Sequence, residues 1–228
     1  MSPKGTELGT VTIAASYGAG GSVVAPAVAE RLGLPFVGRA IPVELAQQLH
    51  HPLMTALADE ERHDHSVVRH LFDRALAYSG LFVGAPTPLD HLGVDEQVAA
   101  GEAAIRRQAE GDGAVILGRA AVFVLKGRPA VLHVRLGGSV EARRRQAMSH
   151  EGLDYETASR LQQQTDSARA AYVDHYHAQE GAWEDPKHYH LIIDSTAISL
   201  DTCVELITMA AKDLFSSRPP VKTAPKGS

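Results

Sequence analysis

Short runs of apolar residues alternate along this chain with longer stretches in which apolar residues recur every three or four positions. The first pattern is typical of buried strands in a parallel sheet, and the second of helices that cover such a sheet. Strands are predicted at residues 11–15, 34–37, 114–117, 130–136 and 190–194. Helices are predicted at residues 23–32, 139–149, 154–177 and 199–215. The alternation predicts an α/β fold of three layers, with a five-stranded parallel sheet between helices.

The segment 38–112 interrupts this alternation and has a different pattern of apolar and polar residues. Three helical patterns separated by proline and glycine lie within it, at residues 43–49, 66–78 and 95–109. Asp95 is a predicted N-cap of the last of them. We therefore expect a helical insertion between sheet strands. The polar ends, 1–9 and 217–228, are predicted to be flexible tails, which leaves a single domain over residues 10–216.

Composition narrows the class of protein. The chain has 228 residues, of which 44% are apolar and 21% charged, as in a globular protein. The net charge of −5 argues against nucleic-acid or anionic-membrane partners, while self-association is left open. The single cysteine, Cys203, excludes an intramolecular disulfide and is expected to be buried. With neither a signal peptide nor a long apolar run in the sequence, we expect a cytoplasmic location.

A glycine-rich turn joins the first predicted strand, 11–15, to the first predicted helix. Its sequence over residues 17–22 is Tyr-Gly-Ala-Gly-Gly-Ser. Backbone N–H groups and the positive end of a helix dipole meet in such a turn, which makes it an anion cradle. Gly18, Gly20 and Gly21 are expected to supply the backbone freedom and close approach that a phosphate needs.

The turn departs from the phosphate-binding pattern G-x-x-x-x-G-K-S/T. Gly20 and Ser22 occupy the positions of the second glycine and the hydroxyl residue. Ala15 stands where the first glycine is expected, and Gly21 where the lysine is expected. The sequence therefore predicts a cradle without its usual cation, and the positive charge must come from elsewhere in the chain.

Arginines that follow later strands, and one in the predicted helix 154–177, are the candidates for that charge. Each of these arginines, taken alone, is also compatible with an ordinary solvated position on the protein surface. Arg119 directly follows a buried strand and a glycine, and Arg169 has Asp166 one helical turn before it. Successive helical residues differ by about 100°, so three arginines in a row cannot all face one cleft. The candidates for phosphate contact are Arg39, Arg119, Arg143, Arg144, Arg145 and Arg169.

Six short motifs occur in the order found in one known family. They lie at residues 17–21, 34–39, 116–119, 141–145, 166–169 and 192–196. With them the chain resembles the cytidylate kinase-like branch of the nucleoside monophosphate kinases, in the P-loop superfamily. That branch commonly carries a Tyr-Gly-Ser-Gly-Gly loop in place of the lysine-bearing form. The resemblance covers roughly residues 10–212 and is weakest across the insertion.

The resemblance implies an ATP-dependent phosphotransferase that transfers the γ-phosphoryl group to CMP, dCMP or a similar nucleotide. It implies Mg²⁺ bridging the phosphates near Ser22, and it makes the insertion over 38–112 the monophosphate-binding region. Arg39 and Arg119 would bind the acceptor monophosphate. The residues implied to bind ATP are Tyr17, Gly18, Ala19, Gly20, Gly21 and Ser22.

The resemblance also implies a lid over residues 143–178. Arg143 and Arg169 would come in with this lid to stabilise charge on the transferring phosphoryl group, and Asp166 would position Arg169. The residues implied for the catalytic site are Arg119, Arg143, Asp166 and Arg169.

Departures from the family pattern keep two further functions open. Ser22 stands where the branch often has an arginine, and Gln162 and Gln163 replace an Arg-Asp pair of typical lids. A nucleotide-binding or regulatory module without turnover is one alternative. Because the insertion matches the family poorly, a small-molecule kinase with a non-nucleotide acceptor is the other.

Twelve histidines raise the question of a metal site. His63 and His65 are two residues apart and do not share a helix face, so solvated or core histidines are the favoured interpretation. His188 and His190 enter a strand, where such spacing does share a face, but the sequence identifies no partner for them. Trp183 is expected to pack on the core.

Overall fold

The computed structural model describes residues 9–38, 94–118 and 120–217. Its sheet has five parallel strands in the order β2-β3-β1-β4-β5, which confirms the predicted α/β fold. Each strand overlaps the segment predicted from its apolar run. The strands are β1 (Thr10–Ala15), β2 (Phe36–Val37), β3 (Val115–Leu117), β4 (Val131–Gly137) and β5 (Leu191–Asp194).

Helices and two short 3₁₀ turns, Ala178–Glu180 and Pro186–His188, connect the strands within the described residues. No helix in this part of the chain is long and apolar enough to cross a lipid bilayer. The sequence pattern does not predict the short helix α3. The helices are α1 (Gly21–Leu32), α2 (Val94–Glu110), α3 (Ala121–Val124), α4 (Val140–Glu151), α5 (Tyr155–Tyr176) and α6 (Leu200–Ser216).

Helix boundaries follow their caps. The side chains of Ser139, Asp154 and Ser199 accept backbone N–H groups at the starts of α4, α5 and α6, as polar N-caps do. The predicted cap at Asp95 is wrong, because α2 already includes Val94. The helices predicted at 43–49 and 66–78 lie outside the described residues.

One face of the sheet is apolar and carries the main core. Alternate residues of β1 and β4 point to this face and pack against α1 and α6. The apolar stripe of α6 is buried there as its spacing predicts, with Val204 and Ile207 inside and Leu214 half-buried. Cys203 is buried in the same cluster, and burial raises the pKa of its thiol. The prediction that Cys203 is buried is confirmed.

On the opposite face of the sheet, polar residues of β1 and β4 lie beside a smaller apolar cluster that includes Ile116 and Leu125. His133 on β4 is buried, and its Nδ1 lies 2.7 Å from Oγ1 of Thr12 on β1. Its ring stacks on His190, the residue before β5, with centroids 5.1 Å apart. The sequence identifies no partner for His190, and the structure shows that its ring stacks on His133. Trp183 is buried above this face beside Phe123, which confirms that it packs on the core.

Buried His133 makes stability depend on pH. Burial, together with the nearby His190 and His188, lowers the pKa of His133 from 6.5 to about 4. The unfolded chain therefore binds a proton that the folded chain excludes, and stability is lost as the pH falls from 6.5 to 4. We expect His133 to lower the free energy of unfolding by about 3 kcal/mol over this pH range, because each pKa unit corresponds to about 1.36 kcal/mol.

Urea unfolding of the wild type and His133→Gln at several pH values measures this loss. The variant should lose less of its free energy of unfolding than the wild type between pH 6.5 and 4. His150→Gln, at an exposed position of α4, is the matched control for the loss of one imidazole. Equal slopes for the wild type and His133→Gln would show that His133 titrates normally.

The strand order creates a crevice at the carboxyl edge of the sheet. From β1 the chain continues toward β2 at one edge of the sheet, whereas from β4 it continues to β5 at the other edge. Ligands of parallel sheets bind where neighbouring strands lead in opposite directions. Here that point lies between the ends of β1 and β4, where the glycine turn follows β1.

Candidate functional site

The glycine turn after β1 is a tight bend that feeds directly into α1. The Ala19 N–H donates to the Ser16 carbonyl at 3.1 Å. Gly18 and Gly20 adopt left-handed φ angles of 74° and 70°, as the sequence predicts. Gly21 is the first residue of α1 and has no positive φ, so the prediction of special backbone freedom there is wrong.

Three side chains hold three successive carbonyl groups of this turn. Arg143 Nη1 donates to the Tyr17 carbonyl at 2.8 Å, and Gln146 Nε2 donates to the Gly18 carbonyl at 3.0 Å. Ser195 Oγ donates to the Ala19 carbonyl at 2.8 Å. Arg143 and Gln146 come from α4, whereas Ser195 directly follows β5. The turn is therefore fixed by two elements that lie more than a hundred residues further along the chain.

Fixing the carbonyls also orients the N–H groups. In a trans peptide the carbonyl of one residue points away from the N–H of the next. The bonds to the carbonyls of Tyr17 and Ala19 therefore turn the N–H groups of Gly18 and Gly20 to the opposite side. Helix α1 begins there with Gly20 as N-cap and without a side-chain cap. This arrangement can receive an anion.

Arg143 is almost fully buried against the turn. Its side chain is 7% exposed, and besides the Tyr17 carbonyl it binds the Gly138 carbonyl through Nε at 3.1 Å. Its Nη1 also lies 2.8 Å from Oδ2 of Asp166 on α5. Three partners from separate segments therefore anchor one guanidinium group.

Asp166 is the centre of a small charged network. Its Oδ1 accepts the Tyr17 N–H at 2.9 Å and lies 3.2 Å from Nη1 of Arg169. Its other oxygen binds Arg143. The structure thus brings the sequence-predicted residues Asp166, Arg143 and Arg169 together with Tyr17 of the turn. Asp166 contacts Arg169 as the resemblance implies.

The three successive arginines of α4 have different surroundings, as their helical spacing predicts. Arg144 donates from Nε to Gln162 Oε1 at 3.1 Å and lies over the ring of Tyr155. Arg145 is 68% exposed. Of the three, Arg143 alone contacts the turn among the described residues. Gln162 is buried and also donates to the Val140 carbonyl, so it links α5 to α4.

Two of the predicted phosphate ligands follow β2 and β3. Arg39 and Arg119 lie outside the described residues, as do His63, His65 and the rest of the segment 39–93. The roles of both arginines therefore stay predictions.

Sequence reasoning misses three residues that contact the turn. Gln146 lies three residues after Arg143, one helical turn along the same face, and this spacing is a usable signal. Ser195 falls inside the motif at 192–196, which is noted for its order and not for this serine. Glu151, whose Oε2 accepts the Tyr17 hydroxyl at 2.9 Å, carries no signal in the sequence.

A magnesium ion held together with phosphate oxygens fits the residues at the turn. Ser22 lies exposed in the first turn of α1, where its hydroxyl oxygen is a ligand type that Mg²⁺ accepts. Within the described residues, no group of three or more histidine, cysteine or carboxylate side chains is placed to hold a metal. Phosphate oxygens and water would therefore supply most of the coordination, as is usual for Mg²⁺ bound with nucleotides.

One family of known proteins matches most of the chain. A family model described as the cytidylate kinase-like family matches residues 10–197. The chain belongs to the cytidylate kinase-like family. The matched residues include the glycine turn and the motif at 192–196, so membership covers all the elements that meet at the turn. A search of curated proteins found no match.

Three solved structures are similar to this cytidylate kinase-like chain. An uncharacterized protein from Eubacterium ventriosum is 21% identical with a TM-score of 0.57, over 92% of this chain and 99% of that one. A gluconokinase from Sinorhizobium meliloti is 17% identical with a TM-score of 0.47, over 93% and 99%. A shikimate kinase from Acinetobacter baumannii is 13% identical with a TM-score of 0.45, over 90% and 94%. The first similarity supports the fold alone.

Proposed function

We propose that the chain is a nucleoside monophosphate kinase that transfers the γ-phosphoryl group of ATP to CMP, dCMP or a similar nucleotide. The observation that carries the proposal is the glycine turn itself. Its Tyr17 and Ala19 carbonyls are held by Arg143 and Ser195, which turns the Gly18 and Gly20 N–H groups to the opposite side, and Asp166 ties the turn to Arg169. Family membership supports the choice of phosphoryl transfer.

Phosphoryl transfer needs positioning and charge compensation more than covalent chemistry by the protein. In the proposed reaction the Gly18 and Gly20 N–H groups of the turn bind phosphate oxygens of ATP. Asp166 holds the guanidinium of Arg169 beside the turn, where it compensates developing negative charge. The hairpin of α4 and α5 packs on the turn and excludes water, which would compete as acceptor. Magnesium held near Ser22 would neutralise phosphate charge.

Nucleotide binding without turnover is the second candidate, and one observation favours it. Arg143, which the resemblance assigns to the phosphoryl group, is buried and donates from Nε and Nη1 to Gly138, Tyr17 and Asp166. Gln162 and Gln163 stand where typical lids carry an Arg-Asp pair. Fewer cations are then left for the transition state. A regulatory module of the same fold would bind ATP and release it unchanged.

A coupled assay of ADP release separates these candidates. Purified protein is mixed with Mg-ATP and a panel of nucleoside monophosphates, and a sugar alcohol serves as a non-nucleotide acceptor. We expect acceptor-dependent ADP release that is fastest with a pyrimidine monophosphate. Thermal stabilisation by Mg-ATP without ADP release for any acceptor would instead establish the module without turnover. Turnover with the alcohol alone would exclude the nucleotide acceptor.

A further inference from the structure

Ser195 sits at the point where three segments of the carboxyl edge meet. It directly follows β5 and is 1% exposed. Its N–H donates to the Gly137 carbonyl at the end of β4, at 3.1 Å. Its hydroxyl lies 2.8 Å from the Ala19 carbonyl in the glycine turn and 3.2 Å from the Gly137 carbonyl. A hydroxyl has one proton to donate, and the Ala19 carbonyl is the nearer acceptor.

The hydroxyl controls the direction of one peptide plane. Ala19 is fully buried, so its carbonyl depends on Ser195 for a hydrogen bond away from water. Without that donor, rotation of the plane between Ala19 and Gly20 offers the carbonyl another direction. The left-handed Gly20, with φ 70°, is the residue type that permits such a rotation. The same rotation turns the Gly20 N–H away from the anion side of the turn.

We propose that Ser195 is a positioning residue of the phosphate cradle, which acts through the Ala19 carbonyl to aim the Gly20 N–H at a phosphate of ATP. The inference rests on the proposed function, because it assigns ATP phosphate as the group that the turn receives. Ser195 does not itself contact the nucleotide. Its removal therefore changes affinity for ATP and leaves the acceptor site intact.

Thr196 provides a matched control in the next position of the chain. Thr196 is half-buried, and its hydroxyl donates to Asp194 Oδ1 at 2.6 Å. Among the described residues it makes no hydrogen bond to the turn. Ser195→Ala deletes one hydroxyl from this loop, and Thr196→Ala deletes one hydroxyl together with its neighbouring methyl group. They differ in whether that hydroxyl holds a carbonyl of the cradle.

Steady-state kinetics with Mg-ATP and the preferred monophosphate test the proposal. For Ser195→Ala we expect KM for ATP to rise roughly tenfold, which is the value of one hydrogen bond to a charged group, with KM for the acceptor unchanged. Ser195→Thr, which keeps the hydroxyl, should restore most of the ATP affinity, and Thr196→Ala should match the wild type. Titration calorimetry with Mg-ATP provides the same comparison without turnover.

Each outcome decides a separate question. A wild type that binds no Mg-ATP overturns the proposed function and this inference with it. A wild type that binds Mg-ATP, with a Ser195→Ala variant of equal affinity, overturns the inference alone. Equal rises in KM for ATP and for the acceptor would also overturn it, because they indicate a general structural defect. If Ser195→Ala does not fold, Ser195→Cys fills the same space with a weaker donor and should show the same selective rise.

Discussion

Replacing Gly18 by alanine is expected to lower the free energy of unfolding by roughly 3 kcal/mol and to remove binding of Mg-ATP. A Cβ atom at Gly18 would lie 2.2 Å from the backbone oxygen of Arg143, where no flexible side chain can move aside. The left-handed φ of 74° adds about 1–2 kcal/mol of strain for any L-residue, and overpacking adds about 1–3 kcal/mol. The turn and α4 must then separate.

Gly33→Ala separates the clash from the strain. Gly33 also has a left-handed φ, of 65°, but a Cβ atom there meets nothing within 4 Å. For Gly33→Ala we expect the free energy of unfolding to fall by about 1 kcal/mol and the binding of Mg-ATP to stay unchanged. Urea unfolding and calorimetry measure both quantities for the two variants. Similar losses for Gly18→Ala and Gly33→Ala would mean that α4 does not pack on the turn as described.

Arg143→Ala is expected to cost about 3 kcal/mol of unfolding free energy, because breaking a buried ion pair leaves its partners unsatisfied. The carbonyls of Tyr17 and Gly138 lose their donor, and Asp166 loses a charged partner. The turn is then no longer held from the side of α4. We therefore also expect the affinity for Mg-ATP to fall, although Arg143 is buried against carbonyl groups.

Arg145→Ala is the matched control on the same helix. Arg145 is 68% exposed, and its pair with Glu141 has a separation of 4.0 Å, so we expect a change within about 0.5 kcal/mol. A double-mutant cycle of Arg143→Ala with Asp166→Asn should give a coupling energy of about 1–3 kcal/mol, since the two side chains share one network. Additive effects, or equal losses for the two arginines, would contradict the placement of Arg143.

The strands of the sheet could be predicted from the sequence because each one is marked by a short run of apolar residues. The apolar run before the glycine turn and the run after residue 113 both became central strands, β1 and β3. Polar caps such as Ser139 and Asp154 also mark helix starts within a few residues. These signals depend on neighbours in the chain and not on the strand order.

Contacts between distant segments could not be predicted in the same way. The stacking of His133 on His190 depends on the register of β4 against β5, which no local pattern specifies. Helical spacing shows that only part of the run 143–145 can face the turn, but not which arginine does so. Ser195 lies 176 positions from Ala19, and a serine after a strand has no feature that names its partner.

The missing lysine of the turn suggests that another cation binds the phosphate in its place. The cation found at the turn has a different role. Arg143 brings a cation to the turn, yet its hydrogen bonds go to carbonyl groups and to Asp166. The cation therefore shapes the cradle and is partly neutralised by a carboxylate. Charge for the transferring group would come from Arg169, from magnesium, and from Arg39 and Arg119, which lie outside the described residues. Lysine-free phosphoryl transfer is the central claim.

The most direct test of that claim is the product ratio after incubation with Mg-ATP and CMP. Chromatography or phosphorus NMR measures ADP and CDP at the end of the reaction. Transfer predicts equal amounts of ADP and CDP, both absent when CMP is omitted and both strongly reduced in Gly18→Ala. ATP left intact in the presence of CMP, dCMP and the other monophosphates, by a protein that Mg-ATP stabilises, would contradict the claim.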